Sequence, residues 1–377
     1  MNLIMERRND IQELVPFKAT HPGSIIAEEL DYLGIKHNEF AQLIGMQPTH
    51  FSSLLKGKRT LSVDVALKIE QHTDLKAEQL MSLQSKYEID CKRIEQRNIE
   101  NSKAETKLIE ISAVVNLTAL IKAKEIPAGF NLNTFNAFIN KFLSAYNIVS
   151  TMDNRLCGCF KKSTKVQTDE RNLRTWLLLA MYNISNLSCE NEYIEGNADF
   201  AAKEIASRAH QGDISVEDIT QILNKYGILY CNVNKLEKVP VDAFSTMSEI
   251  DHPAIVATYR YNDMDKLVFD ILHELGHISL HISSGNSFIK IGDELSTDEI
   301  EIEADTFARD HLIAPNVWRN ILRKGSESLD SLVFYSVVNR IAKVAKEYGI
   351  NPTIAVSRYK KESGHYNISK YKSPKIF

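Results

Sequence analysis

At 377 residues the chain exceeds what one hydrophobic core usually organises, so two or three domains are expected. With 44% hydrophobic and 25% charged residues, global disorder is excluded. A formal net charge of −4 excludes an overall electrostatic grip on nucleic acid and leaves room only for a local basic patch. The five cysteines (Cys91, Cys157, Cys159, Cys189, Cys231) are odd in number and lack paired spacing, which argues against a secreted disulfide framework. Cys157-Gly158-Cys159 lacks the two-residue gap of a zinc knuckle. No apolar segment approaches a membrane span and Met1 to Asp10 hold no signal-type apolar run, so a cytoplasmic protein without a membrane partner is expected.

Residues 1–15 read as a tail, and residues 16–84 as a compact bundle of short amphipathic helices broken at Gly34, Gly45 and Gly57. Within it, residues 37–44 and 47–55 form two helical stretches joined at Gly45-Met46, the spacing of a helix-turn-helix. Pro48 suits the first position of the second helix, where its missing N–H has no partner to lose. Phe51, Leu54 and Leu55 would face the core, leaving Gln47, Thr49, His50 and Ser53 for base edges and Lys56, Lys58 and Arg59 for phosphates. The wording from His21-Pro22-Gly23-Ser24-Ile25-Ile26 through Gly57-Lys58-Arg59-Thr60-Leu61-Ser62 resembles HigA-type antitoxins of the XRE helix-turn-helix family. Two departures stand out: Lys36 occupies a position usually held by a capping serine or threonine, and the second helix has no arginine. The resemblance implies a double-stranded operator DNA as partner and, because such proteins span two half-sites, a homodimer.

Residues 85–110 are charged and helix-favouring and read as a solvated connecting helix. Residues 111–195 form a mainly helical middle region with breaks near Pro127-Ala128-Gly129 and Cys157-Gly158-Cys159. The last region, 196–377, opens with helices over 198–209 and 216–226, followed by strands over 227–233 and 254–261. Helices dominate thereafter. The expected fold is mainly α with a small α+β domain at the C-terminal end.

Residues 265–282 form a helical pattern that is apolar nearly all round, as in a buried helix, yet it contains His273, Glu274 and His277. Buried without partners these groups would be costly, and a metal is the simplest partner. The i to i+4 spacing puts both imidazoles on one face, where they can reach one Zn²⁺, with Glu274 beside them as general base for a water on that metal. His281, one turn further on, reads as a residue that braces a ligand. A catalytic zinc needs a third protein ligand. Ser296-Thr297-Asp298-Glu299 is a capping box that starts a helix ending before Pro315. Along it Ile300, Glu303, Ala304, Phe307, Ala308 and His311 share one side, which makes Glu303 the expected third ligand and Glu299 the alternative. Glu301 and Asp305 point elsewhere on this reading.

The string His273 to His281, followed by Glu301-Ile302-Glu303-Ala304-Asp305-Thr306-Phe307-Ala308 and Leu312-Ile313-Ala314-Pro315, resembles the ImmA/IrrE family of metallopeptidases. The similarity extends back through Ile255 to Tyr261 and forward through Tyr348 to Arg358. It implies a zincin-like domain in which His273, His277 and Glu303 hold the metal, Glu274 is the catalytic acid/base, and the substrate is a protein, commonly a repressor or another regulator. Tyr259, Tyr261 and His311 are candidates for stabilising the oxyanion. The chain thus reads as a DNA-binding regulator or antitoxin with a zinc endopeptidase that cuts a partner regulator or toxin. The rival reading is a non-enzymatic antitoxin or repressor that uses the peptidase fold only to bind its partner.

Overall fold

The computed structural model describes residues 15–152, 168–212, 214–258, 262–282, 297–326, 334–364 and 371–376. Helices make up most of the described chain, and the strands form one small sheet. The chain folds into two compact units, one of residues 1–109 with 129–135 and the other of residues 110–128 with 136–377.

The first unit begins with four short helices, α1 (Pro22–Tyr32), α2 (His37–Leu43), α3 (Pro48–Leu55) and α4 (Val63–Glu70). Their apolar faces meet in a core of Ile26, Leu30, Phe40, Ala41, Phe51, Leu54 and Ile69. Gly45 turns the chain from α2 to α3 at φ +71°, a conformation that costs other residues more because of their Cβ. Pro48 occupies the first turn of α3 as expected, and Lys36 caps α2 without a side-chain hydrogen bond. The expected connecting helix is longer than its charged stretch: α5 runs Ala77–Val114. Its first turns are held by apolar burial, with Ala77 and Leu80 joining the core.

The middle region contributes α6 (Leu117–Lys122), α7 (Leu132–Thr151) and α8 (Glu170–Ser185). The break at Pro127-Ala128-Gly129 falls between α6 and α7, whereas Cys157 and Cys159 lie outside the described residues. Next come α9 (Asn197–Gln211), flanked by left-handed Gly196 and Gly212, and α10 (Val216–Lys225), which starts at a Ser215/Asp218 capping box. Three strands follow: β1 (Leu229–Asn232), β2 (Ala243–Met247) and β3 (Pro253–Ala257). They form a mixed sheet in the order β1-β3-β2, parallel between β1 and β3 and antiparallel between β2 and β3. β2 is an addition to the two strands expected. Its sequence, Ala-Phe-Ser-Thr-Met, lacks a strong β-branched run, and pairing with the fully buried β3 supplies what propensity does not.

The remaining helices are α11 (Met264–Leu280), α12 (Thr297–Leu312), α13 (Pro315–Ser326), α14 (Phe334–Glu347) and α15 (Pro352–Ser363). Ser296 of the expected capping box lies outside the described residues. As its composition requires, α11 is the central element: Leu267, Val268, Ile271, Leu272, Leu275 and Ile278 are all buried in the large core of the second unit. It packs on α9 and α12 and lies against β2 and β3. At Gly276 the helices α11 and α12 approach closely: a Cβ there would sit 3.1 Å from Ala304 Cα and 3.1 Å from Phe307 Cβ. No helix among the described residues is long and apolar enough to cross a membrane.

This approach gives a stability prediction. A valine at position 276 must push against the α12 backbone, which cannot rotate away as a side chain can. Gly276→Val is expected to cost about 1–3 kcal/mol, measured as a lower denaturation midpoint in urea or on heating.

Candidate metal centre

The buried α11 presents His273, Glu274 and His277 towards α12 and the sheet, and the histidines use opposite edges of their rings for different purposes. His277 Nε2 lies 3.0 Å from His273 Nε2, so two potential lone pairs point into the same space. Glu301 of α12 completes the group: its carboxylate oxygens lie 3.2 Å from His273 Nε2 and 3.5 Å from His277 Nε2. One ligand atom from each of the three residues falls within 4.8 Å of the others. His277 has a side-chain exposure of only 3%, and His273 and Glu301 are largely covered at 13% and 19%. Two imidazole nitrogens and one carboxylate oxygen, convergent and shielded from water, are a donor set that suits zinc. The spacing of the nitrogens is also close to the roughly 3.3 Å expected of two ligands on one tetrahedral zinc.

Glu303, expected as the third ligand, takes a different place. Its Oε2 lies 2.9 Å from His281 Nε2, and its side chain is 49% exposed. Both acids flank the buried stripe of α12 formed by Ile300, Ala304 and Ala308, Glu301 on one edge and Glu303 on the other. Helical periodicity places both at the margin; the way α12 crosses α11 at Gly276 turns the Glu301 edge to the histidines. Asp305, four residues on, shares that edge and accepts a hydrogen bond from His273 Nδ1 at 2.9 Å. The pair Glu301 and Asp305 thus repeats the i to i+4 spacing of the pair it faces, a pattern present in the sequence that does not by itself say which margin of α12 faces α11. Glu299, the alternative, is exposed and belongs to no such group among the described residues.

Glu274 is buried beside the group, and its Oε2 accepts a hydrogen bond of 2.6 Å from Ser245 Oγ on β2. A cavity of about 240 Å³ opens here, lined by the ligand group, Glu274, Ala243, Phe244, Ser245 and Lys361. Lys361 of α15 sits over the ring of Phe269, 4.1 Å from its centroid. On the same wall Lys266 bridges Asp242, at 2.9 Å, and Asp270, at 3.0 Å. Burial pushes the Asp270 carboxyl up to about 6, against the opposing pull of the Lys266 ammonium. Ser245, Asp270 and Lys361 carry no motif, and only the fold brings them to the cavity.

Of the oxyanion candidates, His311 is elsewhere: its Nε2 pairs with Asp199 Oδ1 at 2.7 Å and its Nδ1 donates to the Phe307 carbonyl at 2.9 Å. Its side of α12 faces α9 and not the cavity. Tyr259 and Tyr261 lie outside the described residues. Cysteine chemistry finds no support at Cys231, whose thiol burial pushes up to about 12.

In the first unit, Phe51 and Leu54 of α3 are buried and Leu55 is half-buried, as the amphipathic pattern requires. Gln47, Thr49, His50, Lys56, Lys58 and Arg59 are exposed, while Ser53 is half-buried and donates to the Thr49 carbonyl at 2.9 Å. The polar residues of α3 and the basic residues that follow it therefore form a solvent-facing surface.

Comparison with known proteins finds similarity to a curated relative and to a family model. A 34% identity over 70 residues relates the chain to virulence-associated protein A' of Dichelobacter nodosus; the match takes in 18% of this chain and 61% of that relative. No solved structure gives a significant match. The family model of the IrrE N-terminal-like domain, a peptidase family, matches residues 229–359. That stretch contains the sheet, α11 and α12, so the part of the chain that gathers His273, His277 and Glu301 is similar in sequence to IrrE N-terminal-like peptidase domains.

Proposed function

We propose that the protein is a DNA-binding regulator whose second unit is a zinc-dependent endopeptidase acting on a protein partner, a regulator or toxin. The observation that carries the peptidase reading is the convergence of His273 Nε2, His277 Nε2 and Glu301 at the floor of a cavity that also holds Glu274. His273, His277 and Glu301 would hold the metal. A zinc held there would supply Lewis-acid chemistry, polarising the scissile carbonyl and lowering the pKa of an attacking water.

The rest of the chemistry belongs to side chains of the chain itself. Glu274 follows His273 on α11, directed to the cavity but outside the ligand group, the position for a base that takes a proton from the attacking water and returns it to the leaving amine. Ser245 holds one carboxylate oxygen of Glu274 and so limits its rotation. The substrate's path is suggested by β2, which pairs with β3 along one edge while Ala243, Phe244 and Ser245 border the cavity. An extended peptide laid against such a strand would pass its backbone along the cavity that holds Glu274, a mode that favours endoproteolysis of flexible segments. Support for DNA binding comes from the turn at Gly45 and the exposed surface of α3, where Gln47, Thr49, His50 and Ser53 can meet base edges in the major groove.

Three outcomes test this reading. Purified full-length protein is expected to hold about one zinc per chain by elemental analysis, and Glu301→Ala to lose most of it, because two histidines alone make a poor site. Retained zinc in that variant would move the third ligand elsewhere. Glu274→Gln is expected to keep fold and zinc while cleavage of the true partner falls about 10²- to 10⁴-fold, assayed on regulators and toxins encoded beside the gene. Equal regulation by wild type and Glu274→Gln, with neither cutting any neighbour, would favour a partner-binding site that does not cut. On DNA from its own promoter, Lys58→Ala is expected to weaken a full-length mobility shift alike on all sequences and to flatten its salt dependence by about one unit. Absence of any shift at low salt would remove the DNA-binding half of the proposal.

A further inference from the structure

His281 and Glu303 have no task in the chemistry above, yet both are fixed beside it. His281 is the C-cap of α11, one turn beyond His277, with a side-chain exposure of only 6%. Its two ring nitrogens are both engaged. Nε2 faces Glu303 Oε2 at 2.9 Å, and Nδ1 faces His277 Nδ1 at 3.1 Å.

The proton positions follow from what each group can do. An ionised carboxylate only accepts, so the hydrogen in the first contact must sit on His281 Nε2. With His281 neutral, its one N–H is the hydrogen on Nε2, which makes His281 Nδ1 an acceptor. His277 Nδ1 must then donate to it, and the lone pair of His277 is left on Nε2, the nitrogen that meets His273 Nε2 and Glu301. His273 reaches the same condition in one step, through its direct contact with Asp305. For His277 the carboxylate stands on the far edge of α12, and an intervening imidazole spans the gap.

We infer that His281 and Glu303 are positioning residues: a Glu303–His281–His277 chain of hydrogen bonds sets the tautomer and ring orientation of His277 so that Nε2 is presented to the metal. This inference rests on the zinc reading of the site. It also gives the Glu303 carboxylate a role other than ligand, and the two roles respond differently to substitution. A glutamine at 303 keeps a carbonyl oxygen able to accept from His281 Nε2, whereas a ligand that loses its charge loses much of its hold on zinc.

The test has two arms. In metal-free full-length protein, ring ¹⁵N spectra of the histidines are expected to show His277 with its proton on Nδ1, and His281→Phe to release it to a mixture or to the Nε2–H form. A wild-type His277 protonated on Nε2, or a tautomer indifferent to His281→Phe, overturns the chain whether or not zinc binds. In chelator competition for zinc, His281→Phe and Glu303→Ala are expected to weaken binding about 10- to 100-fold, with Glu303→Gln restored to near wild type. Glu301→Gln, the ligand comparator, is expected to stay weak. Unchanged zinc affinity in both His281→Phe and Glu303→Ala overturns the inference and leaves the peptidase reading intact, as does a Glu303→Gln loss equal to that of Glu303→Ala. A wild-type protein that binds no zinc removes the peptidase reading, and the tautomer arm alone then decides the chain.

Discussion

The close crossing of α11 and α12 at Gly276 is the constraint on which the candidate metal centre depends. A helix position without a side chain lets Ala304 and Phe307 of the neighbouring helix approach until they would touch a Cβ. The apolar surroundings, among them Ile271, Leu272, Leu275 and Ala308, are fully buried and hold the two helices in that relation. At this crossing the Glu301 carboxylate on one edge of α12 lies 3.2 Å from His273 Nε2 and 3.5 Å from His277 Nε2 on α11. The burial that fixes the crossing also strips water from His277 and Glu274, and a polar group so placed needs partners. Packing and chemistry are therefore two aspects of one contact.

Those partners are distributed with a common logic. Each histidine of α11 spends its Nδ1 on an organising contact and turns its Nε2 inward: His273 through Asp305, His277 through His281. Ser245 does a comparable service for Glu274 from the sheet. Groups that would hold the metal thus come from two helices, and the group that holds the base comes from β2. A segment with weak strand propensity earns its place in the fold through this position at the cavity's edge. Further along the same wall, the Asp242, Lys266 and Asp270 cluster offsets charge internally.

The first unit has a separate apolar core, centred on Phe40 and Phe51, which owes nothing to the sheet or to α11. Its polar α3 surface and the second unit's cavity can therefore be disabled one at a time: a surface lysine contributes to one, a buried glutamate to the other. That separation is what the proposed division between DNA binding and peptidase chemistry requires.

Much of this was legible in the residues. Apolar positions around most of the circumference of α11 announced a buried helix, and histidines four apart with an intervening glutamate announced the polar groups that helix carries. The short helices of the first unit, their glycine turn and Pro48 were equally readable, because each depends on local backbone conformation. The identity of the third acid was not. Glu301 and Glu303 lie at opposite margins of one buried stripe, and a 3.6-residue period cannot say which margin faces a helix distant in sequence. β2, Ser245 and Lys361 were likewise invisible, since their importance arises from pairing and packing with residues remote along the chain. Sequence by itself determined most of the helices, two of the strands and the chemical groups they bear, through local periodicity and backbone preference. Tertiary structure alone decided which groups meet, because the angle and depth of a helix crossing are set by the summed packing of many side chains and not by any one segment.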